Sequence, residues 1–433
     1  MRVGIIGGGW AGLAAAAELA SKNIPVTLYE AAREPGGRAR KIRYNELDLD
    51  NGQHILLGAY RECLRLIKLC GAPDDALLRL PLKWFFHPNF LIHSEGMAAK
   101  LPAPLDLLGA FVKAQGLTVG QKFSVFRFMA TMRLRHFKLK QDTTVAMLLD
   151  EYGQDGTLRD CLWEPLCVSA LNTPIEIASA QIFLNVLRDG LFGGKGDSDM
   201  LIPQKNLGDI FPQPALDYVA RQGGAVRMGV SVSEIKVLES GYAVVTRDDE
   251  QTFSHIICAA GPHQLAYLIE TIPDLQPTLR QIEALKYEPI VTVYIQYNQI
   301  VTIKHAMTGF NGGVVQWIFD REKLSGHQGL LAAVISASGT HREWNGDELA
   351  QKVIAEIAQI YPQLGGPLWH KVITEKRATF SCRPHMARPK NATPLKNFYL
   401  AGDYTQSDYP GTLEGAVRSG VDCAQLILDT VRL

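Results

Sequence analysis

Cysteine is scarce and scattered in this sequence: there are seven among 433 residues, an odd number, and no two form a CxxC pair. This usage is typical of reduced thiols in a cytoplasmic protein, and it argues against a disulfide framework or a cysteine-based zinc site. The eleven histidines show no HExxH spacing. The sequence therefore predicts no metal centre.

Long apolar runs and an excess of one charge are also missing. No stretch of roughly 18 uncharged apolar residues occurs, so we expect no membrane-spanning helix. The N-terminus passes directly into a strand-like run, so no secretory signal is expected. Lysine plus arginine equal aspartate plus glutamate at 44 each, which argues against a general nucleic-acid binder. The length predicts two or three domains.

The first thirty residues carry the pattern of a dinucleotide-binding βαβ unit. A short apolar run leads into a glycine-rich turn, an alanine-rich helical stretch follows, and a second apolar run ends at Glu30. A GxGxxG motif between a strand and a helix is the context that this fingerprint requires. The turn reads Gly7-Gly8-Gly9-Trp10-Ala11-Gly12.

Each position of this turn has a physical task. Gly7 permits the tight turn, Gly9 lets the backbone approach a pyrophosphate, and Gly12 lets helix and strand pack closely. The helix N-terminus at Trp10 and Ala11 directs free N–H groups and the positive end of its dipole toward the phosphates. The carboxylate that ends the second strand can accept hydrogen bonds from both ribose hydroxyls.

The choice of dinucleotide depends on Gly36-Gly37-Arg38, six residues beyond Glu30. With this element the N-terminus resembles the flavin amine oxidase and phytoene desaturase superfamily, whose βαβ unit is followed by a GGR element. The resemblance implies FAD, with Gly37 and Arg38 at the pyrophosphate. A fixed guanidinium fork suits that position better than an ammonium group.

The same resemblance implies FAD contacts in distant segments. Gly52, Gln53 and His54 belong to a loop expected beside the isoalloxazine ring. Residues 225–235 are predicted to form one alternating strand, whose Val232 pairs with the adenine. Residues 255–262 resemble the second strand–glycine turn of the dinucleotide fold.

The C-terminal motif is the more specific one. A strand ends at Gly402-Asp403, and Gly411-Thr412-Leu413-Glu414 opens the last helix. The resemblance places Asp403 on the ribityl chain or pyrophosphate, and the Leu413 N–H near the flavin pyrimidine edge. A helix N-terminus at that edge would stabilise the negative charge of reduced flavin.

These observations predict an α/β fold, with a Rossmann-type FAD-binding domain and an inserted α+β substrate domain of the flavin amine oxidase type. The FAD-binding domain is expected to be discontinuous, and strand-like runs predict a sheet in the substrate domain. The expected FAD-binding segments are 1–80, 200–265 and 375–433, and the substrate segments are 81–199 and 266–374. The strand-like runs are Ile290–Gln296, Gly313–Phe319 and Leu330–Ser336.

A basic, apolar stretch near 105–140 predicts a helical hairpin. No acidic residue lies between Asp106 and Asp142, whereas seven lysines and arginines alternate with apolar residues. Leu101-Pro102-Ala103-Pro104-Leu105 predicts a rigid entry into it. Such a hairpin could lie on an anionic membrane, at the inner face of the cell membrane, or pack its apolar face on the protein and leave a basic face solvated.

Within the superfamily, Thr412 occupies the position where aromatic-cage amine oxidases carry tyrosine, which disfavours an amine substrate. Other segments resemble the plant-type carotene desaturases, and several resemble the bacterial hydroxysqualene dehydroxylases. The latter are 51–60, 101–105, 163–167, 170–174, 183–189 and 198–203.

That second resemblance implies reductive dehydroxylation of hydroxysqualene, a C30 allylic alcohol, to squalene in hopanoid biosynthesis. Hydride would pass from N5 of non-covalently bound, reduced FAD to the allylic carbon, within a long apolar tunnel. The electron donor is not identified by any motif. His54 is the first candidate for the acid that protonates the leaving hydroxyl, with a role in orienting its loop as the alternative.

Other assignments stay open at this point. Tyr404 and Asp408 are weaker candidates for the acid, and Glu164 is interpreted as a structural partner. A carotenoid desaturase using the flavin oxidatively and a non-catalytic FAD-binding subunit that presents a prenyl lipid are the alternative functions.

Overall fold

The computed structural model describes residues 1–94, 105–301 and 303–431. The strands are β1 Val3–Ile6, β2 Val26–Glu30, β3 Lys41–Tyr44, β4 Leu47–Asp50, β5 Leu56–Leu57, β6 Leu77–Leu80, β7 Lys83–Phe86, β8 Phe90–His93, β9 Met200–Pro203, β10 Ala225–Met228, β11 Val232–Leu238, β12 Gly241–Thr246, β13 Glu250–Phe253, β14 His255–Cys258, β15 Tyr287–Gln296, β16 Met307–Gly309, β17 Trp317–Asp320, β18 Leu330–Ser336, β19 Trp369–Phe380 and β20 Phe398–Leu400.

The α-helices surround and connect the sheets formed by these strands. They are α1 Trp10–Ala20, α2 Arg61–Leu69, α3 Leu105–Val112, α4 Val119–Leu134, α5 Val145–Glu151, α6 Glu164–Leu171, α7 Ala180–Phe192, α8 Leu207–Ile210, α9 Pro212–Arg221, α10 Pro262–Ile269, α11 Gln276–Glu283, α12 Arg321–Ser325, α13 Gly346–Ile360 and α14 Leu413–Val431.

A five-stranded parallel sheet in the order β10-β2-β1-β14-β20 forms the first domain. Strands β1, β2, β14 and β20 are short and almost wholly buried, which is typical of a sheet covered on both faces, whereas the edge strand β10 is partly exposed. The small residues of α1 allow α14 to approach closely: a Cβ on Gly420 would lie 2.1 Å from the Ala11 carbonyl oxygen. The first and last helices of the chain are therefore packed together beside the sheet.

A seven-stranded sheet in the order β19-β15-β18-β17-β16-β7-β8 forms the second domain. One face packs on α13, where the valine, isoleucine and leucine side chains of β15 and β18 form a separate apolar core. The other face contributes Trp84, Phe86 and Trp317 to a larger core shared with the helices between α4 and α7. The flavin amine oxidase-like architecture expected from the sequence is thus present as two sheets with helices around them.

Several local expectations differ from the observed elements. Residues 225–235 do not form one strand, because the chain turns at Gly229, whose φ of +70° breaks the run into β10 and β11 in different sheets. Of the run 313–319, only 317–319 are in a strand, as part of β17. Strand β19 runs across residue 375, so the second domain's sheet extends beyond the boundary drawn there.

The stretch near 105–140, predicted to be a helical hairpin, contains the two helices α3 and α4, and Thr118 caps α4 in a reciprocal capping box with Gln121. Residues 101–104 of the expected rigid entry lie outside the described residues. Within the described ranges, no helix combines the length and apolar character needed to cross a bilayer.

Candidate functional site

A cavity of about 1350 Å³ opens at the carboxyl ends of all five parallel strands. Ligands of open α/β sheets bind at this edge. Its far wall comes from the seven-stranded sheet and from α6. Most residues predicted to contact FAD line it, namely Gly7, Gly9, Trp10, Ala11, Glu30, Gly37, Arg38, Gly52, Gln53, His54, Val232, Gly402, Asp403 and Leu413.

The glycine-rich turn forms one side of this cavity. A Cβ on Gly9 would meet no atom within 4 Å, so the backbone there faces open space. A Cβ on Gly12 would lie 1.9 Å from the Gly7 carbonyl oxygen, so this position has no room for a side chain. Gly12 therefore packs behind the turn and supports it. Gly7 itself has a φ of +112°, a conformation that favours glycine. This geometry has the form of a phosphate cradle with a bare backbone edge.

The GGR segment lies against this turn. The Gly36 N–H donates to the Gly8 carbonyl over 2.9 Å, and Gly9 and Gly36 form a parallel bridge. The Trp10 indole N–H donates to the Ala39 carbonyl over 3.2 Å, and its ring packs on Phe211. The Trp10 side chain therefore fixes the GGR segment, whereas its backbone lies at the N-terminus of α1.

A carboxylate and an ion pair mark the polar part of the cavity. The Glu30 carboxylate accepts hydrogen bonds from the N–H groups of Gly8 and Ala32, which hold it at the cavity edge. The Arg38 guanidinium forms an ion pair with Asp403, with 2.6 Å between Nη2 and Oδ1, and also donates to the Ala378 carbonyl. Residues predicted from segments 365 positions apart are thus in direct contact.

The loop expected beside the flavin ring is held by residues of the second domain. The Gln53 side-chain oxygen accepts a hydrogen bond of 2.6 Å from Arg321, and the Gln53 N–H donates to the Thr292 hydroxyl over 3.4 Å. Arg321 begins α12 and is 1% exposed, with the buried Asp50 carboxylate as a nearby countercharge. No sequence pattern links Arg321 to Gln53, which lies 268 positions away, so sequence reasoning missed it.

His54 has a defined orientation in this loop. Its Nδ1 lies 3.0 Å from the Gly52 carbonyl oxygen, so Nδ1 carries the proton and Nε2 is an acceptor in the neutral ring. Burial lowers the pKa of His54 below its ordinary value, and the Gly52 hydrogen bond opposes this only in part. The imidazole is therefore neutral at pH 7 in the protein alone.

Tyr60 is a second protic side chain on the cavity wall, and sequence reasoning did not single it out. It precedes α2, and its phenol lies beside the Thr412 side chain. Burial raises the pKa of the Tyr60 phenol above its ordinary value, so this hydroxyl keeps its proton throughout the physiological range. Its position at the end of the 51–60 motif was the one available signal.

The other acid candidates lie in different environments. Tyr404 lines the cavity and is fully buried, and burial raises its pKa well above the ordinary value. Asp408 and Glu164 are not among the described residues that line the cavity. Burial raises the pKa of Glu164, which begins α6 beside the cavity wall.

Two motif residues prove to be structural connectors. Glu414 is fully buried, and its carboxylate accepts from the N–H groups of Glu62 and Cys63 in the first turn of α2 while pairing with Arg418. A carboxylate at a helix N-terminus is stabilised by the helix dipole. Glu414 therefore joins the two helices that flank the cavity.

Asn172 joins three further elements. It ends α6 with a φ of +48°, and its amide nitrogen donates to the Glu288 and Pro289 carbonyls and to the Thr379 hydroxyl. Its amide oxygen accepts from the Ala337 N–H over 2.6 Å. The motif at 170–174 thus fixes the α6 wall onto the seven-stranded sheet.

The cavity fits an FAD-sized dinucleotide. It offers a bare glycine edge and a helix N-terminus for phosphates, a carboxylate at the end of β2 for a ribose, and the N-terminus of α14 as a second helix N-terminus. Clefts for drug-sized ligands span roughly 300–1,000 Å³, so this volume leaves room beyond a single small ligand. Among the described residues, no group of three or more metal-ligating side chains is placed to hold a metal ion.

Comparison with known proteins agrees with the inference that this cavity binds FAD. Residues 10–428 match the family described as flavin containing amine oxidoreductase. The chain is 29% identical to the hydroxysqualene dehydroxylase of Zymomonas mobilis and 28% identical to that of Rhodopseudomonas palustris, each over 98% of both chains. It is 24% identical to the zeta-carotene desaturase of Synechocystis, over 99% of this chain and 97% of that one.

Solved structures share the fold at low identity. A variant of putrescine oxidase superposes with a TM-score of 0.75 at 16% identity, over 99% of both chains. Cyclohexylamine oxidase from Brevibacterium oxydans superposes with a TM-score of 0.74 at 15% identity, over 100% of this chain and 99% of that one. The protein is an FAD-dependent oxidoreductase, and the chain belongs to the flavin containing amine oxidoreductase family.

Proposed function

We propose that this enzyme removes the hydroxyl group of hydroxysqualene reductively and releases squalene, a step of hopanoid biosynthesis. The observation that carries the proposal is the similarity to three hydroxysqualene dehydroxylases, at 26–29% identity over 98% of the chain. The relatives named zeta-carotene desaturase cover as much of the chain at 23–24% identity. Both groups of names concern extended isoprenoid chains.

The residues that line the cavity favour an isoprenoid substrate over an amine substrate. Its substrate-domain wall includes Ile290, Ile373 and Ala170, which offer apolar contacts. Thr412 also lines the cavity, at the position where aromatic-cage amine oxidases carry a tyrosine. A threonine at this position offers an ammonium group no aromatic face, and cation–π attraction is one way such a charge is stabilised away from water.

The reaction balances with one two-electron reductant and one proton. Reduced FAD, when bound, supplies the hydride, and an external electron donor must restore it. The allylic C–O bond breaks, a C–H bond forms at the same carbon, and the hydroxyl leaves as water after taking the proton. The protein must therefore hold the dinucleotide, exclude water from the apolar chain and deliver one proton.

Each predicted contact then has a proposed task. The Gly9 edge and Arg38 would hold the pyrophosphate, Glu30 the ribose, and the backbone near Val232 the adenine. Asp403, held by Arg38, would bind the ribityl chain. The Leu413 N–H at the start of α14 would face the pyrimidine edge, where the helix dipole favours negative charge.

Binding of FAD is proposed to be non-covalent. Within the described part of the chain, no cysteine lines the cavity, and burial raises the pKa of Cys382 to about 12. A thiol with such a pKa is largely protonated at neutral pH, and the thiolate is the reactive form.

The proton is proposed to come from His54. Its bare Nε2 is available for protonation, and its Nδ1 is anchored on Gly52. Tyr60 is the second candidate, because its phenol is protonated at every physiological pH. General acid assistance contributes typically about 10²–10⁴-fold to a rate.

A substrate comparison tests the proposed function. Holoenzyme with excess chemical reductant is incubated anaerobically with hydroxysqualene in detergent, and oxidised holoenzyme is incubated separately with zeta-carotene. Squalene should accumulate in the first reaction, and the second should leave its carotene unchanged. Desaturation of the carotene without squalene formation would replace the proposal by the desaturase alternative.

A further inference from the structure

The helix α4 presents apolar side chains on two opposite faces. Its inner face, with Val125, Phe128, Met129 and Met132, is buried, and Phe128 packs on Trp163 at 5.4 Å between ring centroids. The core therefore accounts for four of the nine apolar residues of the helix.

The outer face carries a second apolar set. Val119, Phe123, Phe126 and Leu134 are between 52% and 85% exposed. Together with Ala130 they recur at intervals of three or four residues, which places them along one side of the helix. We call these five residues the outer stripe. Exposed apolar side chains are ordinary when scattered singly, whereas a contiguous set marks an interaction surface.

Cations surround the outer stripe. Lys122 and Arg133 lie along one edge by helical spacing, Arg127 lies along the other, and Arg135 follows the helix end. In the part of the chain that the structure describes, none of the seven lysines and arginines between Asp106 and Asp142 forms an ion pair with a carboxylate. Arg133 and Arg135 lie over the rings of Phe192 and Tyr152 instead. The positive charge of this surface is therefore unneutralised.

We propose that the outer stripe and its cations dock the enzyme on the surface of a bilayer rich in anionic lipids, with α4 lying in the interface plane. A basic helix with an outward apolar face binds this way, its apolar side chains entering the boundary between headgroups and acyl chains. Anionic headgroups neutralise juxtaposed lysines and arginines. The 16 residues of α4 would extend roughly 24 Å along the surface.

Charge argues against the competing occupant, a second copy of the chain. Pairing two outer stripes would bring two sets of unneutralised cations together, and like charges in a contact are unfavourable. The chain as a whole has zero formal net charge, so the cations gathered here are a local feature and not a general excess. A bilayer with anionic headgroups matches both the exposed apolar side chains and the positive charge of this face.

The docking surface and the cavity belong to one helical layer. Phe128 on the inner face of α4 contacts Trp163, and α6 begins at the next residue and contributes Ser169 and Ala170 to the cavity wall. Docking would therefore hold the cavity close to the bilayer. The proposal does not depend on which isoprenoid the enzyme uses.

Sedimentation of holoenzyme with vesicles tests the docking surface. Phosphatidylcholine vesicles with and without phosphatidylglycerol are compared for the wild type and two variants. The first variant carries Phe123→Ser, Phe126→Ser and Leu134→Ser, and the second carries Lys122→Gln, Arg127→Gln, Arg133→Gln and Arg135→Gln. Each cation near a bilayer contributes about fivefold in partitioning, so we expect at least a tenfold loss on anionic vesicles for the second variant.

The control removes exposed apolar residues elsewhere. Ile300 and Leu368 are 55% and 62% exposed, and Ile300→Ser with Leu368→Ser should sediment like the wild type. Unchanged FAD content and melting temperature show that the variants fold. The proposal is overturned if both docking variants sediment with anionic vesicles as strongly as the wild type. It is also overturned if the wild type does not sediment with anionic vesicles. Analytical ultracentrifugation tests self-association. If the wild type is a dimer and the variant with Phe123→Ser, Phe126→Ser and Leu134→Ser is a monomer, the stripe is a dimer interface instead.

Discussion

The two walls of the cavity are built in different ways. The flavin-domain wall includes bare backbone, exposed where glycine leaves no side chain, as at Gly9. The substrate-domain wall is held by buried hydrogen bonds between distant segments, as at Asn172. The backbone of the flavin-domain wall is encoded within a few consecutive residues. The contacts of the substrate-domain wall join distant segments and form only when the chain has folded.

The largest effect is expected at the support of the flavin-domain wall. In Gly12→Ala the new methyl group would lie 1.9 Å from the Gly7 carbonyl oxygen, a contact that no side-chain movement can relieve. The turn must rearrange, so we expect loss of FAD from the purified protein and poor soluble expression. Flavin absorbance per polypeptide measures this, and full occupancy with normal stability would contradict the packing described for this turn.

A substitution in the substrate-domain wall should lower the free energy of unfolding of the protein. Asn172→Gly keeps the left-handed backbone conformation but removes the amide, leaving the Ala337 N–H and several backbone oxygens without their partner. Buried groups without partners cost about 1–3 kcal/mol each, so we expect roughly 2–4 kcal/mol of destabilisation. Urea denaturation followed by fluorescence gives the value. A change below about 0.5 kcal/mol would mean that this connector is dispensable.

His54 lies where the two walls meet, and its replacement should affect turnover alone. His54→Ala should lower the dehydroxylation rate at least tenfold with FAD retained, as expected for a general acid. Since the acid must be protonated and burial lowers the pKa of His54, the wild-type rate should rise as pH falls through and below the ordinary histidine range. A rate independent of pH between about 5 and 8, abolished in Tyr60→Phe, would transfer the role to Tyr60.

The smallest effect is expected at the bare edge of the flavin-domain wall. In Gly9→Ala the methyl group meets no protein atom, so the melting temperature of the apoprotein should not change. The methyl group would occupy space proposed for the pyrophosphate, and we expect about a tenfold loss of FAD affinity, or 1.4 kcal/mol. Titration of apoprotein with FAD measures it. Wild-type affinity would place the pyrophosphate elsewhere.

The same contrast explains how far the sequence alone could lead. The glycine-rich turn, Glu30, Arg38 and Asp403 could be predicted as cofactor contacts because each belongs to a short motif with a fixed physical task. The ion pair between Arg38 and Asp403 was not predicted. The break at Gly229 was missed because the apolar alternation continues on both sides of it, although a glycine within such a run often marks an irregularity.

Other parts of the site depend on contacts that no local pattern encodes. Arg321 meets Gln53 from 268 positions away, and Glu414 caps α2 from about 350 positions away. The apolar residues of α4 were visible in the sequence, but their division between a buried face and an exposed stripe follows from packing against Trp163 and its neighbours. Tertiary structure decides which of two apolar faces is buried.

The direction of electron flow is the central claim, and an anaerobic single turnover tests it most directly. Chemically reduced holoenzyme, free of excess reductant, is mixed with hydroxysqualene in detergent while flavin absorbance and extracted lipids are followed. The account predicts reoxidation of the flavin with one squalene formed for each flavin oxidised. Flavin that stays reduced with hydroxysqualene, together with bleaching of oxidised enzyme by a carotene or an amine, would contradict it.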